Sequence, residues 1–323
     1  SMNELDIINI IKNTLSNNSL IGDDTACLND LGITVTQDSL IEDIHFRTST
    51  ISPFHLGKKS VAVNLSDIAA SGAQAKYLMI SLSLPQNIQE NFVKEFYQGV
   101  DSMCQEFNLS VAGGDITGSD KISISICAIG INNGITPAKR SNAKQGDIIF
   151  TTGVHGSSFA GFLALENKIS VTQKLINAHI SPVPLLETGR TIVSNIKNAC
   201  LMDSSDGLGD ALFKISSSSN LTANVDMSLV PFDEEMKKFA QTLNQNYKNW
   251  ILFGAEDYQL VGTADEKSFE NLQKQELHLS QIGYMTEKKE HYVCIKDNNT
   301  FLTLDEEDIK NRCFNHFEER ENT

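Results

Sequence analysis

The stretch that decides the fold covers residues 22–72 and reads GDDTACLNDLGITVTQDSLIEDIHFRTSTISPFHLGKKSVAVNLSDIAASG. Residues 33–37 within it alternate apolar and polar side chains, which is the period of a half-buried strand. We therefore predict a strand that ends at Asp38, where the carboxylate can leave the sheet and face a ligand. Acidic residues occur among these strand and helix signals, not in an acidic tail: Asp23, Asp24, Asp38, Glu42, Asp43 and Asp67.

A helix is predicted to start at Ser52, run to about Ala70 and stop near Gly72 in the same stretch. Ser52 can cap the first turn, the proline after it has the φ angle of that turn, and Gly72 is a typical terminator. Asn64, Asp67 and Ser71 lie at i, i+3 and i+7 and form a polar stripe on an otherwise apolar helix. Because an unpaired carboxylate is costly to desolvate, this stripe indicates a bound cation.

Another acidic residue follows a second predicted strand. Residues 109–112 are predicted as a strand that leads into Gly113, Gly114 and Asp115. Two glycines let the backbone turn and approach a ligand closely, and they deliver Asp115 at the end of the strand. A plain turn explains the same three residues equally well.

Two further acidic sites come from the second half of the chain. Residues 199–202 are predicted as a short strand that ends at Asp203, and Asp206 follows three residues later. A helix cap accounts for one of these two carboxylates but not for both. Glu256 lies beside a turn after the apolar residues 250–253. We interpret all three carboxylates as candidates for a ligand site.

Length and composition predict two domains and exclude several classes of protein. The chain has 323 residues, 40% of them apolar and 21% charged, which is ordinary for a globular protein. A turn-rich stretch at 130–147 contains the predicted boundary between domains 1–138 and 139–323. The net charge of −15 excludes a generic nucleic-acid binder, whereas clustered aspartates can collect Mg²⁺. We expect no membrane span and no export signal.

The cysteines and the missing nucleotide-binding motifs exclude further classes of protein. Six scattered cysteines with no C-x-x-C pair argue against structural zinc and indicate reduced thiols in a cytoplasm. The P-loop and the dinucleotide-binding glycine patterns do not occur in the sequence. Residues 153–158 predict a glycine-flanked helix start that can receive an anion. Arg140, in the linker between the domains, is a candidate phosphate ligand.

The order and spacing of these motifs resemble one family over residues 20–317. The segments GDDTA, TQDSLIEDIHF, AVNLSDIAASGA, GGDIT, AKRSNAKQGD, DSSDGL, GAEDYQL and FNHF resemble those of thiamine-monophosphate kinases, in the PurM-like ATP-binding superfamily. The resemblance implies an α/β fold with mixed sheets and two domains. In that fold the sheet of the amino-terminal domain pairs with that of a second subunit in a homodimer, and the carboxy-terminal α/β domain is larger.

The resemblance also implies a reaction and a set of site residues. Family members transfer the γ-phosphoryl group of ATP to thiamine monophosphate, giving thiamine diphosphate and ADP, with several Mg²⁺ ions. The implied residues are, for metal, Asp24, Thr36, Gln37, Asp38, Asp67, Asp115, Asp203 and Asp206; for ATP, Gly114, Asp115, Arg140 and Ser205; for thiamine monophosphate, His45, Glu256 and Phe314. No general base is expected, because an ionised phosphate oxygen has no proton to lose.

Several departures from the family pattern, among them Gln37 and Ala255, and several alternatives accompany this resemblance. Gln37 stands where the family usually has threonine, so a metal contact there requires its backbone carbonyl, and Ala255 replaces a common glycine next to Glu256. Other enzymes on the same scaffold are aminoimidazole ribonucleotide synthetase, selenophosphate synthetase and a hydrogenase-maturation enzyme, and their characteristic residues do not occur here. A non-catalytic nucleotide or metal sensor is a further alternative, but it would be expected to lack one or more of the aspartates.

Overall fold

The structure is a computed structural model that describes residues 2–313. Phe314, one of the expected substrate contacts, lies outside the described residues. The helices are α1 Glu4–Thr14, α2 Pro53–Ser71, α3 Glu90–Phe107, α4 Ser157–Glu166, α5 Gln173–Ile180, α6 Leu186–Asn195, α7 Leu208–Ser219, α8 Glu234–Thr242, α9 Tyr247–Phe253, α10 Glu266–Gln273 and α11 Glu306–Arg312. Short 3-10 turns cover Arg140–Asn142 and Met227–Leu229.

The strands form two mixed sheets. They are β1 Ala26–Leu28, β2 Ile33–Ile41, β3 Gln74–Leu84, β4 Ser110–Gly118, β5 Ser123–Ile131, β6 Ile148–Thr151, β7 Cys200–Asp203, β8 Leu221–Asp226, β9 Leu260–Ala264, β10 Ser280–Glu287, β11 Val293–Asp297 and β12 Thr300–Leu304. The first sheet has the order β1-β2-β5-β3-β4, and the second has the order β12-β11-β8-β10-β6-β9-β7. Parallel pairs β3–β4 and β8–β11 occur among antiparallel ones, which confirms the predicted mixed α/β class.

The sheets separate along the sequence. Strands of the first sheet lie within residues 26–131, and strands of the second lie within residues 148–304. The turn-rich segment between them contains the expected boundary at 138/139, which stays a prediction. None of the described helices is both long enough and apolar enough to cross a membrane.

The predicted helix α2 is confirmed at both ends. The Ser52 side chain accepts a hydrogen bond from the backbone N–H of His55, and Gly72 ends the helix with a φ of 82°. α2 packs between α3 and α6 and contacts β2 of the first sheet. At the crossing of α2 with α3 the two backbones nearly touch. A Cβ on Gly57 would lie 2.0 Å from the carbonyl oxygen of Phe96, and one on Gly99 would lie 1.9 Å from that of Phe54.

The prediction that the strand before Asp38 ends at that residue was wrong. β2 continues to Ile41, and Asp38 pairs with Ile126 in the middle of the antiparallel ladder with β5. The strand continues because residues 39–41 keep pairing with residues 123–125 of β5. Asp38 shares the buried face of β2 with Thr36 and Leu40, and its backbone N–H donates to the Asn64 Oδ1 of α2 at 3.1 Å.

The predicted turn at Gly113 and Gly114 was wrong as well. Both glycines lie inside β4, which pairs in parallel with β3 through Gly118. A Cβ on Gly114 would lie 1.7 Å from the carbonyl oxygen of Ile80, so close strand packing already requires a glycine there. Two consecutive glycines therefore fit a tightly packed edge strand as well as a turn, and the sequence does not distinguish the two structures here.

The edge of the first sheet is open. Every residue of β4 is exposed, and Tyr77 and Met79 on the neighbouring β3 are 49% and 39% exposed. We call the face of this sheet that carries Tyr77, Met79 and Ser81, opposite the face covered by α2, the outer face. An unpaired strand edge and an exposed apolar face are the usual starting points for association between subunits.

The glycine crossing generates a stability prediction. Gly99→Ala places a methyl group against the backbone of α2, and we expect it to lower the free energy of unfolding by about 1–3 kcal/mol, measured by urea denaturation. Gln98→Ala, one residue away on the exposed side of α3, is the matched control and is expected to change it by less than about 0.5 kcal/mol. Equal effects of the two substitutions would contradict the close packing.

Candidate active site

Three carboxylates from distant parts of the chain meet between the two sheets. Asp24 precedes β1, Asp67 lies on α2 and Asp203 ends β7. Each offers one carboxylate oxygen, and the three oxygens lie within 4.8 Å of one another. We call these three residues the acidic cluster. All three were expected as metal ligands, and the structure brings them together.

Hydrogen bonds hold the acidic cluster in place. The backbone N–H of Asp203 donates to Asp24 Oδ2 at 3.1 Å, and Ser66 Oγ donates to Asp203 Oδ2 at 2.7 Å. Thr36 Oγ1, 3.3 Å from Asp67 Oδ2, also lies 3.1 Å from the carbonyl oxygen of Asp24. Thr36, another expected metal contact, therefore links two members of the cluster. The first sheet, α2 and β7 each supply part of this network.

The electrostatics of the cluster favour a cation. Burial raises the pKa of Asp24, Asp38, Asp67 and Asp203 above the ordinary carboxyl value of 3.8. Repulsion from the neighbouring carboxylates raises the pKa of Asp67 and Asp203 further, to well above that value. Mg²⁺ prefers oxygen ligands, and a divalent charge would remove both the desolvation penalty and the repulsion. The donor set therefore fits Mg²⁺.

Arg140 closes one side of the cluster. Its Nη2 lies 2.6 Å from Asp24 Oδ1, and its backbone N–H donates to Asp23 Oδ1 at 3.0 Å. Burial alone would lower the pKa of Arg140, but the attraction of Asp24 and Asp23 outweighs it and raises that pKa. Arg140 Nε is buried and has no hydrogen-bond partner within residues 2–313. The Nε lies 3.8 Å from Asp23 Oδ1, so it is in an ion pair with that carboxylate but not in a hydrogen bond.

Sequence reasoning missed a second ion pair near the site. Lys214 Nζ lies 3.0 Å from Asp210 Oδ2 and 3.6 Å from Asp206 Oδ2. Burial alone would lower the pKa of Lys214, but the two carboxylates outweigh it and raise that pKa. The i,i+4 spacing of Asp210 and Lys214 on α7 was the signal that could have found this pair.

A cavity of about 130 Å³ opens beside these residues. Because its walls carry five carboxylates but no lysine or arginine among the described residues, it suits cationic ligands. Six expected site residues line it together: Asp38, His45, Asp67, Ser205, Asp206 and Glu256. His45 Nδ1 accepts a hydrogen bond from the backbone N–H of Ile41 at 2.9 Å, so the ring proton of the neutral imidazole lies on Nε2.

The segment that carries Glu256 has an unusual backbone. Glu256 and Tyr258 have φ angles of 69° and 50°, in the left-handed region that residues other than glycine rarely adopt. Asp257 between them accepts hydrogen bonds from the backbone N–H groups of Gly156 and Ser158, at 3.0 and 3.4 Å. The predicted anion position at the start of α4 is thus filled by a side chain of the same protein.

Other expected site residues lie apart from the cluster. Asp115 pairs with Ser81, which pairs with Ser125, which in turn pairs with Ser39 of β2. Three strand spacings place Asp115 roughly 14 Å from β2, on the outer face. Gln37 also points to the outer face, where its Nε2 donates to Ser125 Oγ at 3.0 Å. Within one chain, Asp115 and the Gln37 side chain do not join the acidic cluster.

The fold, the acidic cluster and the cavity beside it define a class of proteins related to aminoimidazole ribonucleotide synthetase. Residues 22–132 match the family model described as AIR synthase related protein, N-terminal domain. The chain is 35% identical to thiamine-monophosphate kinase of Bacillus subtilis, across 98% of this chain and 100% of that relative. It is 32% identical to the enzyme of the same name from Escherichia coli K12, across 88% and 89%.

A solved structure agrees with these relatives. The structure described as AaThiL complexed with AMPPCP and TMP superimposes with a TM-score of 0.84 at 30% identity and covers 98% of this chain and 97% of its own. This chain belongs to the thiamine-monophosphate kinase family.

The raised pKa values of the cluster predict how pH affects stability. At a pH between the ordinary and the raised pKa values, the folded metal-free chain binds protons that the unfolded chain has released. The contribution of these carboxyl groups to the free energy of unfolding is therefore largest at acidic pH and is lost as the pH rises through their raised pKa values. We expect the Tm of chelator-treated protein to fall as the pH rises above the ordinary carboxyl value of 3.8, and MgCl₂ to reverse that fall.

Two variants test whether this effect comes from the acidic cluster. Asp67→Asn removes one carboxylate, so we expect a smaller rise in Tm with MgCl₂ at pH 8 than for the wild-type protein. Asp101→Asn, an exposed position on α3, is the matched control and should leave the rise unchanged. A wild-type Tm that does not respond to Mg²⁺ at pH 8 would contradict the metal assignment.

Proposed function

We propose that this chain transfers the γ-phosphoryl group of ATP to thiamine monophosphate, giving thiamine diphosphate and ADP. The observation that carries the proposal is the acidic cluster beside a cavity lined by His45 and Glu256. The two main obstacles to such a transfer are the repulsion between two phosphate esters and the correct alignment of their oxygens. An acidic protein can overcome the first only with bound cations.

Magnesium binding is the first part of the mechanism. Asp24, Asp67 and Asp203 would hold Mg²⁺, and Asp38 and Asp206 at the cavity wall extend the same ligand set. When bound, Mg²⁺ neutralises phosphate oxygens and orients them for in-line displacement. The protein supplies fixed carboxylates, because Ser66 and Thr36 already hold the cluster in position.

The remaining roles belong to side chains that bind and orient the substrates. Arg140 and Ser205 are the proposed contacts to ATP, and the Arg140 Nε, which has no hydrogen-bond partner among residues 2–313, supports that role. His45, Glu256 and Phe314 are the proposed contacts to thiamine monophosphate, and His45 and Glu256 line the same cavity. No side chain has to remove a proton, because the attacking phosphate oxygen is ionised near neutral pH.

We also propose that the protein is a homodimer formed through the first sheet. The exposed β4 edge and the apolar outer face support this arrangement. Gly114 and Asp115 lie on β4, away from the acidic cluster of their own chain, so their role at a nucleotide site requires a second copy. Domains 1–138 and 139–323 and a cytoplasmic location, where ATP is available, are parts of the same proposal.

The catalytic role of the acidic cluster is tested by Asp67→Asn. We expect kcat for ADP release dependent on thiamine monophosphate to fall by about 10²-fold or more, because a charged ligand is lost while side-chain volume is kept. A coupled assay with a magnesium titration measures it. Asp101→Asn should behave as the wild-type protein, and a wild-type rate in Asp67→Asn would refute the role.

The homodimer is tested by Tyr77→Asp. A charge on the apolar outer face should shift the protein from dimer to monomer in light scattering and lower activity in the same samples, because Asp115 of the second copy is removed. Val183→Asp changes an apolar residue that is even more exposed and lies outside the first sheet, and it serves as the control. A dimer that survives Tyr77→Asp unchanged would contradict an interface on this face.

A further inference from the structure

A buried lysine lies behind the substrate cavity. Lys59 on α2 is 2% exposed and is among the largest fully buried side chains of the protein. A buried ammonium group needs a compensating charge, and Lys59 Nζ lies 3.3 Å from Glu256 Oε1. Among the residues of the described structure that line the cavity, Glu256 is present and Lys59 is not. Lys59 therefore reaches the cavity wall through its contact with Glu256.

Two different helices hold the two oxygens of Glu256. Lys59 of α2 contacts Oε1, and the Nδ1 of His179 on α5 lies 3.5 Å from Oε2. The backbone N–H of Glu256 also donates to the carbonyl oxygen of Ser205 at 2.7 Å. The two side-chain contacts hold the carboxylate, and the backbone hydrogen bond holds the residue itself in its left-handed conformation. Backbone strain of this kind is concentrated at sites of binding and catalysis.

The stability of the fold does not explain the pair. A buried ion pair contributes little net stability, and apolar residues of similar volume often replace one without loss. The neighbouring acidic cluster does not stabilise the ionised form of Glu256 either, because a further negative charge beside the cluster adds repulsion. What the pair does provide is an ionised carboxylate with fixed direction at the wall of a cavity that also presents His45 and Tyr258.

We propose that Lys59 is a positioning residue that keeps Glu256 ionised and aimed at the cationic organic half of the phosphate acceptor. This inference rests on the proposed function and deepens it, because it assigns recognition of the organic half to the Lys59–Glu256 pair and recognition of the phosphate to the acidic cluster. The pairing with Lys59 also prevents the Glu256 carboxylate from turning toward a cation in the cluster.

The test compares three single variants with the wild-type protein. Lys59→Met removes the charge and keeps the volume, Lys59→Arg keeps the charge, and Lys58→Met is the matched control one residue away on the same helix. We expect Lys59→Met to raise KM for thiamine monophosphate about tenfold while KM for ATP changes less than about twofold. Lys59→Arg should recover part of this loss, and Lys58→Met should behave as the wild-type protein.

Unphosphorylated thiamine separates the organic half from the phosphate. As an inhibitor competing with thiamine monophosphate, thiamine should bind more weakly to Lys59→Met by the same factor as KM rises, because it lacks the phosphate. In the Glu256→Gln background, adding Lys59→Met should cause no further rise in KM, because the two residues act as one unit. The double variant buries no charge, so it stays measurable even if Lys59→Met alone fails to fold.

Several outcomes would overturn the inference. Wild-type values of KM and of the thiamine inhibition constant in folded Lys59→Met exclude a positioning role, as does an equal rise in KM for both substrates. An additive effect in the double variant also excludes it. Failure of the proposed function is a separate result, since wild-type protein would then release no ADP in response to thiamine monophosphate. In that case, calorimetric titration of thiamine into wild-type and Lys59→Met protein still tests the pair.

Discussion

The repulsion among buried carboxylates is the constraint on which the rest of the structure depends. Asp24, Asp67 and Asp203 lie within 4.8 Å of one another in a site that water reaches poorly. Like charges at this distance oppose folding unless protons or cations compensate them. The chain tolerates the cluster because Ser66, Thr36 and a backbone N–H hold the oxygens in place. The protein thus gives up some stability in the metal-free state for a site that binds divalent cations.

The scaffold that brings the cluster together centres on α2. This helix carries Asp67 toward the acidic residues, Asn64 toward β2 and Lys59 toward Glu256. Its close crossing with α3, through Gly57 and Gly99, fixes the axial position of all three side chains at once. One rigid helix therefore sets the geometry of both the metal ligands and the cavity wall. A loop could not hold these groups with the same accuracy.

The sequence predicts most of this site but not how its parts are connected. The ends of α2 and the acidic residues before β1 and after β7 follow from capping signals and strand periodicity. Asp38 and Gly114 were misplaced because pairing with distant strands extended β2 and β4 beyond their local signals. The Lys59–Glu256 pair has no signal in the sequence, because a lysine within KKSVAV looks like an exposed residue. Nothing local distinguishes it from Lys58, and only the packing of α2 against the second half of the chain buries it.

The two faces of the first sheet differ in the side chains that they present. Carboxylates concentrate between the sheets, whereas the outer face of the first sheet carries serine, methionine and tyrosine around an unpaired backbone edge at β4. An isolated copy therefore leaves a row of amide and carbonyl groups available to any extended peptide it meets. While the chain is being synthesised, second copies are scarce and the β4 edge stays uncovered. A newly made chain is therefore most prone to incorrect association along β4, and folding yield should depend on how quickly a second copy covers this strand.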